Sequence, residues 1–570
     1  MGNPLDFLVS KGIFPGDNIR VTADAHAHSE SALVVDPRNP ERLLGASKRF
    51  TDPQHYIFSL APVFSNDGGS TWPSLPAFPM PPNHDIYTDP SATFHTSGAA
   101  WVMGDPGFFH AQHAGLYQSL GCTATGDILT THMLAQKSIN DGAGWSAVPI
   151  VGVRCTEDDK GWILCDNSTE VSLVPPSHPG PWPKPKPVSP YHGRLYAVWG
   201  AVTPLRFARS LDGGQTWVGA GNQPAGADLA PYAYAPDISI GRDGTVHVFS
   251  HDPGTGSIQY WRSKDGGETF EGNGNFINAL PQPREVVTNL TDITTKSFAG
   301  GPITRSGGWP VFDGAKFRVI TIVAACCFGN KGVAIAWADA RSGHSRIYYR
   351  LSTDGGETWL GDPSGTPLLP IVGDSHQFHP QLATTGSGVL GCAMYSYSKT
   401  AIAWNKPGVS VLVAASFDEG ITWEFTPITD QPWDPAIGAP YSHGDSNATF
   451  IGEYFGFDAG KSEFHVLWTD TRFNNQDLFY CQVLTEKTRD LTEGLGLAID
   501  PMALILSGRA YLIWAEMHHP HVEKALDLKN ILPMMTAEER GAALARAKSL
   551  GEFGSVAKKA IEAFNKTLKP

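Results

Sequence analysis

The chain has 570 residues and a formal net charge of −14. That balance excludes general nucleic-acid binding, which rests on a basic surface neutralising phosphates, and an acidic ligand could be held only by a local cluster of Arg or Lys. With Gly 61, Pro 44 and Trp 16, and apolar runs cut short by turn residues, the composition suits many short strands better than long helices.

The N-terminal "MGNPLDFLVSKGIFPGDNIR" has no basic start followed by an apolar run, and no segment reaches the roughly 20 apolar residues of a membrane helix. The expectation is a soluble chain with no membrane partner, cytoplasmic unless a leader was removed. Seven cysteines, odd in number and without CxxC spacing, exclude a complete disulfide framework. Cys326 and Cys327, in the apolar "TIVAACCFG", read as core.

Seven segments resemble the start of a repeating unit. They are "AHSESALVVDP" near 27, "TDPSATF" at 88, "DNSTEVSLV" at 166, "APDISIG" at 235, "WPVFDGAKF" at 309, "FHPQLAT" at 378 and "NATFIGEYFGF" near 448. A spacing of ~70 residues is long for a solenoid and suits a four-stranded propeller blade with elaborated loops. In six of the seven units a strand-like run is followed by one turn motif: "SNDGGSTW" at Ser65, "SLDGGQTW" at Ser210, "SKDGGETF" at Ser263, "STDGGETW" at Ser352, "SFDEGITW" at Ser416 and a worn "SINDGAGW" at Ser138. Its Asp accepts backbone N–H groups of its own turn, its Gly takes angles closed to other residues, and its aromatic ring is buried between layers. The turn therefore reads as a staple of the fold and not as a catalytic loop.

Beyond the blades, residues 171–191 form a Pro-rich, extended loop. "PMALILSGRAYLIWAEM" reads as two closing strands. A capping box from Thr536 to Glu539 and an apolar stripe of Val556, Ala560, Phe564 and Leu568 then predict a helical hairpin, packed on the propeller or used for self-association. The expected organisation is an all-β propeller over 1–525, of seven blades with six as the alternative, and a helical appendage over 526–570.

The turns carry a family resemblance. Their pattern, S-x-D-x-G-x-T-W, resembles the Asp-box or BNR repeat of the sialidase-superfamily β-propellers, over residues 65 to 423. The resemblance implies the fold and is nearly silent on function, since such propellers host hydrolases, lyases and binding proteins. For a sialidase it implies three Arg clamping a carboxylate, a Tyr and Glu pair as nucleophile, an Asp as acid and base, and an early F/Y-R-I-P motif. The chain lacks that motif; its nearest early Arg is Arg49 in "SKRFTDP". Arg341 in "WADAR" and Arg472 in "WTDTR" could be two clamps, or Asp–Arg structural pairs at strand ends. Six blades are usual for sialidases, so a count of seven weighs against a plain one.

In a propeller the first strand of each blade lines the central channel, so chemistry is to be sought just before or within it. Blade one offers "DAHAHSE", in which Asp24, His26, His28 and Glu30 would share one face of a strand. The other blades offer His84, Asp85, Tyr87 and Asp89; Tyr232, Tyr234 and Asp237; Asp374, His376 and His379; and Tyr441, His443, Asp445, Glu453 and Tyr454. Such groups can ligate a divalent metal or act as acid and base, or each His can simply bond a neighbouring blade. The expected catalytic set is His26, His28, Asp89, His376, His443 and Tyr454. Arg49, Arg341 and Arg472 face substrate, and His26, His28, His376 and His443 are the metal ligands. The function expected is a sialidase-like, carbohydrate-active enzyme, hydrolase or polysaccharide lyase, acting on a glycan at the channel mouth. The alternatives are a metal-dependent enzyme on a non-sugar small molecule, or a propeller that only binds.

Overall fold

The computed structural model describes residues 12–109, 114–119, 128–130, 132–152, 158–169, 188–200, 204–294, 303–369, 375–399 and 408–485. The chain divides into two compact units, Met1–Thr485 and Glu486–Pro570. The expected closing strands and helical hairpin, and most of the Pro-rich loop, lie outside the described residues.

The first unit is a seven-bladed β-propeller. Its innermost strands are His28–Asp36, Ile86–Phe94, Trp162–Cys165, Asp237–Ile240, Val323–Phe328, His376–Thr384 and Gly456–Ala459, each opening an antiparallel sheet. Each inner strand touches the next, and the seventh touches the first, so the sheets stand around one axis. The ring is closed from the N-terminus. Ile13–Pro15 pairs antiparallel with Asp477–Thr485, placing Ile13 opposite Thr485 as the outer strand of blade 7.

A blade is covered on both faces by its neighbours, so its middle strands are apolar throughout instead of alternating. All eight residues of Gly332–Asp339, "GVAIAWAD", are buried. Trp101, Trp199, Trp337 and Trp468, each on the second strand of its blade, are fully buried. Side chains also cross between blades to meet backbone: Asp237 Oδ2 accepts from Ala325 N at 2.7 Å, Asp458 Oδ2 from Val35 N at 2.8 Å, and Ser91 Oγ from Ile163 N at 2.9 Å.

The repeated turn follows the third strand of blades 1 to 6. In blade 5, Ser352 Oγ donates to Asp354 Oδ1 at 2.8 Å, Gly356 N donates to Ser352 Oγ at 2.9 Å, and Thr358 N and Oγ1 donate to the Asp354 carboxylate at 2.9 and 2.6 Å. Those bonds hold the Asp354 carboxyl down at about 2 against the opposing cost of burial. The worn copy keeps this register. Asn140 stands where the others have Asp, receiving Ser138 Oγ at 2.9 Å and Gly144 N at 2.9 Å, so Asp141 is not the staple residue. In the turns written with two adjacent glycines the second lies against the preceding blade: a Cβ on Gly356 would fall 2.1 Å from Tyr260 Oη, and one on Gly69 2.2 Å from the Tyr480 ring.

Three unit starts differ from the sequence reading; in blade 7 the segment opens in a hairpin strand, Asp445–Thr449, and the inner strand begins only at Gly456. Blade 3 begins at Trp162, ahead of the "DNSTEVSLV" segment, and blade 5 at Val323, beyond the "WPVFDGAKF" segment. Trp309–Phe312 instead pairs with Ile303–Ser306 in a separate hairpin. Cys326 and Cys327 are free thiols reaching opposite neighbours, Thr384 of blade 6 and Ser239 of blade 4.

Candidate functional site at the propeller axis

The inner strands of blades 1, 2 and 6 share a local device. Each carries a bulge, between Ser29 and Ala32, Thr88 and Ser91, and Phe378 and Gln381. Within these bulges Glu30, Asp89 and His379 have φ of 48, 51 and 48°, the left-handed region. Lys160 and Ala235, just ahead of the inner strands of blades 3 and 4, have φ of 55 and 45°. Pro follows Asp89, Ala235 and His379; lacking an N–H, it is tolerated where the ladder is interrupted. Non-glycine residues held at such angles cost on the order of 1–3 kcal/mol each and concentrate at functional sites. Here the bulge turns a charged or polar side chain out of its sheet and toward the axis.

Those side chains meet in a buried ionic cluster. Lys48, from the second strand of blade 1, lies 2.5 Å from Glu30 Oε2 and 3.4 Å from Asp89 Oδ1. Lys160 Nζ is 3.3 Å from Glu30 Oε1, 4.0 Å from Asp89 Oδ1 and in direct contact with Glu453 Oε2. Arg318 Nε meets Glu453 Oε1 at 2.9 Å. Asp89, Asp105 and Asp159 form a second knot, with ligand oxygens all within 4.8 Å of one another. Lys160 N donates to Asp89 Oδ2 at 3.2 Å and to Asp159 Oδ1 at 3.0 Å. Asp105, fully buried, has no hydrogen-bond partner on either oxygen. Asp158, next in the chain, is held by Arg206 and Trp199, each at 2.8 Å. Among the described residues the cluster thus sets three cations, Lys48, Lys160 and Arg318, against five carboxylates, Glu30, Asp89, Asp105, Asp159 and Glu453.

The proton affinities split accordingly. Burial is the largest influence on each group, and neighbouring charge decides the outcome. Burial raises Asp105 and Asp159 well above the usual carboxylate range, reinforced by nearby Asp89. It raises Glu30 also, against the pull of Lys160 and Lys48. Asp89 is driven well below its ordinary value because Lys160 and Lys48 overcome its burial, and Glu453 is held at about 2 by Arg318 and Lys160. Burial brings His379 and His443 down to about 3, so both imidazoles are neutral at neutral pH.

Aromatic groups line the same region. A small void is bounded by Lys160, Trp162, Ala235, Ile322 and Tyr454. The Trp162 and Tyr454 rings lie 5.4 Å apart, and Lys160 Nζ is 5.6 Å from the Tyr454 centroid. Nearby, the His443 ring is stacked between Tyr56 at 4.8 Å and Trp309 at 5.1 Å, its Nδ1 3.0 Å from Arg318 Nη1. The hairpins that precede blades 5 and 7 thus meet over the axis, joined also by Ser306 Oγ donating to Asn447 O.

Of the residues expected from sequence, the structure brings Asp89, His443 and Tyr454 to this region and leaves the others elsewhere. His28 is buried inside blade 1, bonded to Ser47 Oγ at 2.9 Å and Asp24 Oδ1 at 3.1 Å. His26 lies in the preceding loop, 2.6 Å from Arg49 Nη2, and Arg49 Nε donates to Asp24 at 3.0 Å. The strand begins only at His28 and bulges at Glu30, so "DAHAHSE" does not present one alternating face. His376 stacks on Phe312 at 4.0 Å and accepts from Ser345 N at 3.2 Å. Arg341 closes back on Asp339 and stands 4.3 Å over Tyr348; Arg472 does the same with Asp470, 4.5 Å over Phe479. Both are Asp–Arg pairs at strand ends. His26, His28, His376 and His443 therefore do not converge on one point; among the described residues the grouping with metal-ligand spacing is Asp89, Asp105 and Asp159.

Sequence reasoning missed Lys48, Lys160, Arg318, Asp105, Asp159 and Tyr56. For Lys160 a signal exists, since it lies just ahead of the inner strand that starts at Trp162; Arg318 stands further from its strand, which starts at Val323, and both blades start outside the repeat segments read from sequence. Lys48 was marked only by being a lysine inside the buried run "LLGASKRF".

No protein-family model and no curated protein matches the chain. Among solved structures it is similar to a protein of unknown function from Dyadobacter fermentans, at 10% identity over 83% of this chain and 100% of that one, TM-score 0.44. It is also similar to a mutant of the NanB sialidase from Streptococcus pneumoniae, at 12% identity over 67% of each chain, TM-score 0.39. A PL25 polysaccharide lyase, an ulvan lyase, aligns at 11% identity over 70% of this chain and 82% of its own, TM-score 0.38.

Proposed function

We propose that the chain is a carbohydrate-active enzyme that cleaves glycosidic bonds at the propeller axis, and that its substrate is a neutral sugar. The observation carrying this reading is the grouping of side chains at the axis, where Lys160, the Trp162 ring and the Tyr454 phenol stand beside buried carboxylates. Aromatic faces suit the apolar faces of pyranose rings. Carboxylates and a phenol are the groups from which glycoside cleavage draws its acid, base and nucleophile.

The state of the cations selects the sugar. A sialic acid or a uronate needs a cation left over to clamp its carboxylate. Among the described residues, Lys48, Lys160 and Arg318 are each already paired with Glu30, Asp89 or Glu453, and Arg49, Arg341 and Arg472 are tied to Asp24, Asp339 and Asp470. A neutral substrate asks none of these pairs to break.

The test is a panel of neutral aryl glycosides, an aryl sialoside and uronate polysaccharides, read by release of the aryl group and by ultraviolet absorbance of unsaturated uronate. Turnover of a neutral glycoside is the expected result. Turnover confined to the sialoside or the uronate would overturn the choice of sugar, and silence across the panel would overturn the enzyme reading.

A further inference from the structure

The carboxylates of Asp89, Asp105 and Asp159 are brought together by separate parts of two blades. Asp89 comes from the bulge of the blade 2 inner strand, Asp105 from the neighbouring strand Ala100–Phe109, and Asp159 from the chain entering blade 3. Asp89 and Asp159 are each oriented by the N–H of Lys160. Asp105 faces them fully buried, with both oxygens unpartnered. A carboxylate without a donor in a dry site is expensive, because its desolvation is not offset by any bond. The cations nearest Asp89 Oδ1 are Lys48 Nζ at 3.4 Å and Lys160 Nζ at 4.0 Å; Lys48 is engaged by Glu30, and Lys160 by Glu30 and Glu453.

We propose that Asp89, Asp105 and Asp159 form a binding site for a hard divalent cation of the size of calcium. Oxygen-only ligands select hard cations over zinc or copper, which favour nitrogen and sulfur. Magnesium gives up water reluctantly and is usually held by one or two carboxylates, whereas calcium takes several protein carboxylates in a flexible geometry. Three carboxylates with oxygens within 4.8 Å of one another fit the calcium pattern. With all five carboxylates ionised, two positive charges offset their excess over the three cations counted above. The site does not depend on the sugar-cleaving reading, since its test measures binding and not turnover.

The experiment is isothermal titration of the chelator-treated, full-length protein with CaCl2, MgCl2 and ZnCl2, run in parallel with the Asp105→Asn variant, with thermal midpoints recorded with and without CaCl2. The expected result is one calcium per chain at a dissociation constant on the order of micromolar, weaker magnesium binding, at least a tenfold loss in the variant, and a calcium-dependent rise in midpoint that the variant lacks. Asp105→Asn preserves shape and removes an unpartnered charge, so the apo variant is expected to stay folded. The proposal is overturned if folded wild-type protein binds no calcium, if zinc binds in its place, or if Asp105→Asn binds as tightly as wild type.

Discussion

Two adjacent glycines in one turn separate what the staple contributes from what its backbone conformation costs. Gly355 and Gly356 have φ of 76 and 78°. A Cβ on Gly355 meets nothing within 4 Å, whereas one on Gly356 falls 2.1 Å from Tyr260 Oη of blade 4. Gly355→Ala therefore incurs only the left-handed conformation of a non-glycine residue, about 1–2 kcal/mol. Gly356→Ala incurs the same and must also displace Tyr260, whose hydroxyl is bonded to His247 Nδ1 at 2.7 Å. Overpacking adds about 1–3 kcal/mol, for a total of about 2–5 kcal/mol. For a chain of this length 1 kcal/mol moves the thermal midpoint by on the order of 1 °C. The two variants should then differ by about 1–3 °C in a calorimetric scan. Gly68 and Gly69 repeat the experiment in blade 1: the first is open, and the second is 2.2 Å from the Tyr480 ring of blade 7. Equal destabilisation within both pairs would refute the claim that these turns fasten blade to blade.

Two further outcomes follow from charge. Burial raises the Asp237 carboxyl to about 7 although it accepts from Ala325 N and Ile238 N. Its folded value lies above its unfolded value of 3.8, so its contribution is full below pH 3.8 and is lost as pH rises toward 7. Asp237→Asn should therefore gain stability relative to wild type by up to about 1.4 kcal/mol per pH unit across that window and level off above it; a constant difference in urea unfolding from pH 4 to 8 would contradict this. Lys160→Met leaves Glu30 and Glu453 short of a cation, and loss of one partner of a buried pair costs about 3–5 kcal/mol. An unfolding free energy within 1 kcal/mol of wild type would show that Lys160 is not the hub of the cluster.

What the sequence made legible depended on how local the physics is. The staple turn is closed by its own residues, Ser352, Asp354 and Thr358 in blade 5, so its text alone identifies it. Even the worn copy obeys the rule through Asn140, which offers the same acceptor oxygen. The count of seven came from the unit-start segments, six of which lead to a staple. Asp89, Glu30 and His379 were within the segments singled out because their inner strands begin where the pattern said. The ionic cluster was not legible, because it is assembled from side chains whose partners are distant in sequence. Lys48 reaches across from a second strand, and Lys160 and Arg318 come from the two blades whose starts are hidden by a Pro-rich insertion and an extra hairpin. The histidines misled for a related reason: His28 and His376 are buried and bonded within the structure, not aimed at the axis. Alternation also fails at a bulge, and the bulges are where Glu30, Asp89 and His379 leave their sheets.

The claim on which the functional account turns is that the axial groups perform bond cleavage. It is tested most directly by steady-state kinetics of Tyr454→Phe and Asp89→Asn on whichever neutral glycoside the wild type turns over, with midpoints measured on the same samples. The account predicts that kcat falls by about 10²–10⁴ in each while Tyr454→Phe keeps its midpoint. Wild-type kcat in both variants would place the chemistry elsewhere and contradict it.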